Sequence, residues 1–272
     1  ERLEWDRDGQ YYHYLTKWMH ALNRVRGVTG DPVYAGWALE LAHAAHAGFT
    51  YSAPGGKRMY WKMSVDLQRL QVPSMGQHDP LDGYITYNEL QAAARDFDLS
   101  LSDLTAEIKD MAKICKGMSL VTDDPLGIGG LLSDSLRVAQ LMIKTSDSFN
   151  LEKLLQNLLN SALLGLESYV QNNPQDFPAI YRLAFREMGL SIGIKGVDYL
   201  YSLIESNEDK FKEHGSLNQR VEALQDYMPL AISLENFWLN DKNREAMTWI
   251  EHREINMVML ATSLAPCGFL GI

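Results

Sequence analysis

The chain is poor in cysteine: two residues in 272, Cys115 and Cys267. They stand far apart, so they form neither a disulfide framework nor a zinc-ligand spacing. A reducing, cytoplasmic location is expected on that ground. Basic residues are also scarce, 25 Lys and Arg against 35 Asp and Glu, for a net charge of -10. A backbone-driven nucleic-acid binder needs the opposite balance. Anionic membrane surfaces are disfavoured for the same reason. No apolar run reaches the roughly 18 residues of a membrane span, and Glu1 to Trp5 do not read as a signal peptide. The expected partner is therefore a small molecule or an oligosaccharide, with no nucleic acid and no membrane.

Several catalytic signatures are missing too. Gly127, Gly129 and Gly130 open a helix, but no Gly-Lys-Ser/Thr follows and no parallel strand precedes. Neither cysteine carries a nucleophile signature. Glu40, His43 and His46 make one Glu-x-x-His-x-x-His, whereas a di-iron bundle needs two such motifs and further inward glutamates. No cofactor and no metal are expected.

What is present is helical periodicity. With 46% hydrophobic and 22% charged residues, the chain reads as one globular domain over 1–272. Tyr12, Leu15, Met19 and Leu22 share a face of a helix expected over 11–26, with Gly27 and Gly30 as its terminators. Asp31-Pro32 then reopens a helix, Asp suiting the cap and Pro the first turn. The same dipeptide recurs at 79–80 and 124–125, a spacing of about 45 residues, with further helices between at 102–116 and 151–171. More helices are expected at 177–188, 194–205, 217–240 with a break at Pro229, and 244–264. The apolar stretch Met257 to Ala265 predicts a helix buried nearly all round. Between these, 49–67 alternates around Pro54-Gly55-Gly56 and reads as a β-hairpin, followed by a polar loop over 71–82. The fold class is all-α, paired helices with a small β-hairpin insertion.

The helix-pair repeat, the run Tyr60 to Leu67, the run Pro73 to Gly83 and Asp124 to Leu132 together resemble the six-hairpin glycosidase-like superfamily. That resemblance implies an (α/α) toroid of about five to six helical hairpins. It also implies a carbohydrate-active enzyme, with glycoside hydrolases and sugar 2-epimerases as the activities of the group. A helical-repeat binding module without chemistry stands as a reading from another class.

Three groups of residues could carry the chemistry. His78, Asp79 and Asp82 crowd a helix opening, and a glycosidase needs one carboxyl protonated and one ionised. The plainer reading makes Asp79 a cap and Asp82 a first-turn acid. Glu251, His252 and Arg253 precede the apolar 257–265 stretch, Glu251 and His252 as acid, base or relay, or as a solvated helix end. On the first helix His13, Lys17, His20 and Arg24 form a polar stripe, facing either water or a polar cavity. With Trp18 beside it, and Tyr51 and Trp61 on the hairpin, it offers the aromatic and polar surface that suits sugar rings. The catalytic candidates are thus Asp79, Asp82, Glu251 and His252. The substrate-binding candidates are His13, Lys17, Trp18, Tyr51, Trp61, His78 and Arg253.

Overall fold

Why the chain becomes mostly helix is visible in its repeated capping signals and 3.6-residue apolar spacing. The computed structural model describes residue 4 and residues 6–95, 103–145, 148–172 and 174–271. Its contacts cluster in two compact units, Glu1–Ser119 and Leu120–Gly271, where the sequence reads as one domain.

In the first unit a short strand β1 (Gln10–Tyr11) runs into α1 (Tyr12–Thr29), which is followed by α2 (Val33–Phe49). Gly27 stays inside α1. Gly30 ends it, with φ of 72° and its N–H bonded to the Arg26 carbonyl. The Asp31 carboxylate accepts from the Val33 N–H at 3.0 Å, as a residue ahead of a helix should. The expected hairpin follows as β2 (Thr50–Ala53) and β3 (Gly56–Met59), with Thr50 opposite Met59. Two further strands were not foreseen, β4 (Lys62–Met63) and β5 (Leu70–Val72). They join β1 in an antiparallel sheet ordered β1-β4-β5. This sheet takes in the start of the expected 71–82 loop. Then come α3 (Asp79–Arg95) and α4 (Thr105–Cys115). The expected start of the latter at Ser102 lies outside the described residues.

Tyr12, Leu15 and Met19 of α1 turn inward against Leu39 and Phe49 of α2, Tyr87 of α3 and Met111 of α4. Each such buried side chain contributes about 1.5–3 kcal/mol over its exposed state.

The second unit contains α5 (Pro125–Lys144), α6 (Ser148–Gln171), α7 (Ala184–Glu205), α8 (His214–Gln225) and α9 (Met228–Leu239). The short α10 (Asp241–Arg244) and α11 (Met247–Ile250), then α12 (Arg253–Leu264) and α13 (Cys267–Leu270), complete it. α5 is capped by Asp124, whose carboxylate accepts from the Gly127 N–H at 3.0 Å, with Pro125 in the first turn. By length and composition alone α5 could cross a bilayer, but 67% of that window is buried. It packs between α6 and α7, and it carries a buried Arg137–Asp134 ion pair at 2.9 Å.

Three expectations change here. The helices expected at 177–188 and 194–205 merge from Ala184 onward into one helix, α7, with only a 3-10 turn at Ala179–Tyr181 ahead of it, and Gly189 and Gly193 within it are crossing points and not breaks. A Cβ on Gly129 of α5 would sit 2.0 Å from the Gly189 carbonyl oxygen, and one on Gly193 would sit 2.5 Å from the Gly129 oxygen. The backbones touch, so only glycine fits. The helix expected over 244–264 is cut into α10, α11 and α12. Finally, α12 is not buried all round: Asn256, Leu260 and Ser263 face inward, while Met257, Val258 and Leu264 are exposed. One buried stripe is enough to hold a helix at a surface.

Candidate functional site

The first unit brings two of the three candidate groups together. The polar stripe of α1 is half exposed at His13 and Lys17 and buried at His20. It faces α3, which presents Asp79, Asp82, Thr86 and Glu89 at three- and four-residue spacing along one side. The helices zip together through charged and hydroxyl pairs. His13 Nδ1 lies 3.7 Å from Asp79 Oδ1. Lys17 Nζ donates to both oxygens of Asp82, at 3.0 and 3.1 Å. The Thr16 hydroxyl donates to the same carboxylate. Deeper in, His20 Nδ1 lies 3.3 Å from Glu89 Oε2, both side chains nearly water-free.

The seam is graded from wet to dry. His13 and Lys17 are half exposed, whereas Asp79, Asp82, Glu89 and His20 are buried. Beside it, the Tyr12 hydroxyl donates to that of Tyr87 at 2.9 Å, and the latter reaches toward the Ala42 carbonyl. Burial pushes both phenols well above the ordinary range, so they stay neutral and act as structure.

Asp79 departs from its two sequence counterparts. Asp31 and Asp124, each before a proline, spend their carboxylates on backbone N–H groups. Asp79 makes no such cap. Its Oδ2 is buried and without a hydrogen-bond partner, and its Oδ1 points at His13. The carboxyl is also packed against Gly76, where a Cβ would stand 2.5 Å from Oδ2. A buried polar oxygen left without a donor is destabilising unless something takes it up. Asp82, by contrast, is fully engaged by Lys17 and Thr16, which makes it a clamp between α1 and α3.

Among the remaining candidates, Trp18 is 63% exposed on α1, one turn beyond Tyr14 at 54%. The rings of Tyr11, His13 and Tyr14 cluster with centroids 4.6–5.5 Å apart. Tyr51 is stacked on Tyr60 at 4.2 Å, and Trp61 is half buried beside the strand pairing. His78 precedes α3, and its carbonyl accepts from the Asp82 N–H at 3.0 Å. Glu251, His252 and Arg253 belong to the second unit, where all three are exposed at the start of α12 and the His252 ring packs edge-on to Phe185 at 5.5 Å.

His43 and His46 have carboxylate neighbours of their own, Glu107 at 2.9 Å and Asp110 at 3.7 Å, on α4. No group of three or more metal-ligating side chains converges among the described residues. Burial alone drives the Cys115 thiol up to about 12, which leaves it inert as a nucleophile. Thr16 and Glu89 were missed in the sequence. The signal for Glu89 was there, as the fourth polar position on the inward face of α3. Comparison with family models, with curated proteins and with solved structures finds no match to this chain.

Proposed function

We propose that the chain is a carbohydrate-active enzyme, a glycosidase-like hydrolase working at the wet end of the α1–α3 seam. On this reading its helical hairpins follow the (α/α) toroid plan, for which the Asp-Pro openings recurring every 45 residues or so are the support. Asp79 gives a proton to the glycosidic oxygen as the C–O bond breaks. Water adds to the anomeric carbon, its proton goes to the His13 imidazole, and His13 hands it back to Asp79. Lys17 and Asp82 hold the two helices in register, and Tyr14 and Trp18 offer apolar faces for a sugar ring. The observation that carries the reading is the Asp79 carboxyl, which has abandoned the capping role of Asp31 and Asp124 and keeps one buried oxygen without a donor.

The test is reducing-sugar release across a panel of glycosides, with Asp79→Asn and His13→Gln as variants. An acid–base group contributes about 10²–10⁴-fold, so each variant should lose at least about a hundredfold in kcat. Silence of the wild type across the panel, or full activity in Asp79→Asn, sinks the proposal.

A second reading is favoured by one observation: the seam holds two imidazole–carboxylate pairs, His13–Asp79 and His20–Glu89. Histidine acid–base chemistry next to a carbonyl is what a sugar epimerase requires. Ketose formation or C2 epimer exchange on the same panel, without bond hydrolysis, decides for it.

A further inference from the structure

A second polar site lies apart from the seam, on the segment ahead of β1 and the turn between β4 and β5. There an open groove of about 620 Å³ is lined by Arg7, Asp8, Asp66, Gln68, Arg69 and Gln71, among others. Its two arginines converge on one carboxylate, that of Glu4. Arg69 Nη1 donates to Oε2 at 2.6 Å, and Arg7 Nη1 lies 3.5 Å from Oε1. The geometry points to a small-anion site of which Glu4 is the built-in occupant: Arg7 and Arg69 bind a carboxylate- or phosphate-bearing small molecule, and Glu4 competes with it.

Several features support this. The site is built before any ligand arrives. The backbone of the segment is pinned from below by the buried Lys62, whose ammonium donates to the Arg7 carbonyl at 2.6 Å and the Glu4 carbonyl at 3.2 Å. The Gln71 amide donates to the Asp8 carbonyl at 2.8 Å. The turn that carries Arg69 is equally fixed. Asp66 accepts from the Ser64 hydroxyl at 2.5 Å and the Gln68 N–H at 3.2 Å. Leu67 has φ 57°, and its side chain lies against Gly48.

The arginines are also under-used. A guanidinium has five N–H donors, and each of these has one carboxylate contact, with side chains 64% and 46% exposed. Paired oxygens set as in a carboxylate or phosphate match that fork. The Arg69 hydrogen bond, then the charges of both arginines, hold the Glu4 carboxyl below its usual range, as an anion in an anion site would be. This inference is independent of the sugar reading and fails or stands separately.

Calorimetric titration of the full chain with malonate, and separately with inorganic phosphate, tests it in three proteins: wild type, Glu4→Gln, and Glu4→Gln with Arg69→Ala. Glu4→Gln keeps the backbone bonds of residue 4, its carbonyl to Lys62 and its N–H to the Gln71 carbonyl at 3.4 Å, and removes only the competing charge. It should bind one of the two anions at least about tenfold more tightly than wild type, and the Arg69→Ala addition should abolish that gain. A larger gain for malonate assigns the site to carboxylates, and a larger gain for phosphate assigns it to phosphoryl groups. The Arg69 Nε–Hε resonance of the wild type, which should shift at saturating anion, gives a readout that needs no variant. Equal weak binding in all three proteins, with an unmoved Arg69 resonance, overturns the inference.

Discussion

Two polar clusters, one in each unit, are built on opposite principles. In the second unit Arg182 grips Glu187 with two bonds of 2.8 Å, Trp238 donates to the same carboxylate at 2.6 Å, and the Phe237 ring covers the guanidinium at 3.6 Å. Both Glu187 oxygens have donors, and Arg182, Glu187 and Trp238 are all nearly water-free. In the first unit the His13–Asp79 pair is longer than a hydrogen bond, one of its oxygens is orphaned, and its imidazole is open to water. A satisfied cluster rigidifies a core, whereas an unsatisfied one at a surface leaves room for a ligand group. The difference separates scaffold from candidate chemistry without any appeal to motif.

Breaking the closed cluster should do the most damage. Glu187→Ala strands a buried guanidinium and should destabilise the protein by about 3–5 kcal/mol, read by denaturant unfolding. Next comes the glycine crossing. Gly129→Ala drives a methyl into the Gly189 carbonyl, and the resulting overpacking should be destabilising by about 1–3 kcal/mol in the same assay.

A smaller effect is expected from pH. Burial depresses the His46 imidazole below its ordinary range, against the opposing pull of Glu107 and Asp110. The unfolded chain therefore takes up the proton first. Stability supplied by neutral His46 is present above the unfolded value near 6.5 and is lost as pH falls below it. The variant His46→Gln should flatten that part of the stability–pH curve, and an unchanged curve would place the acid sensitivity elsewhere.

The smallest effect on stability should be that of Asp79→Asn, less than about 1 kcal/mol, because the native carboxyl makes no hydrogen bond that the amide would lose. A large loss of stability there would put Asp79 among the structural polar groups beside Glu187, and would erase the contrast between the two clusters.

Much of this was legible in the chain. The Asp-Pro openings of α2, α3 and α5, the Gly55-Gly56 turn and the Pro229 break stand where local chemistry puts them. The α1 stripe was legible as polar, and Asp79 and Asp82 as a crowded pair. That these two sets face each other was not legible, because helix pairing between residues some 65 apart leaves no local trace. The β1-β4-β5 sheet escaped for the same reason: strands of two and three residues carry almost no alternation. The gap expected between 188 and 194 does not exist, because Gly189 and Gly193 serve a close helix crossing, which leaves no local trace in the sequence.

By itself the amino-acid order determined the openings of α2, α3 and α5, the apolar face of α1 and which residues could move a proton, since each of these is decided within a turn or two of backbone. Tertiary structure decided which polar residues are spent and which are left over. Asp31, Asp79 and Asp124 are alike in sequence; two of them accept from backbone N–H groups two and three residues on, and only the distant His13 gives the third an imidazole to face.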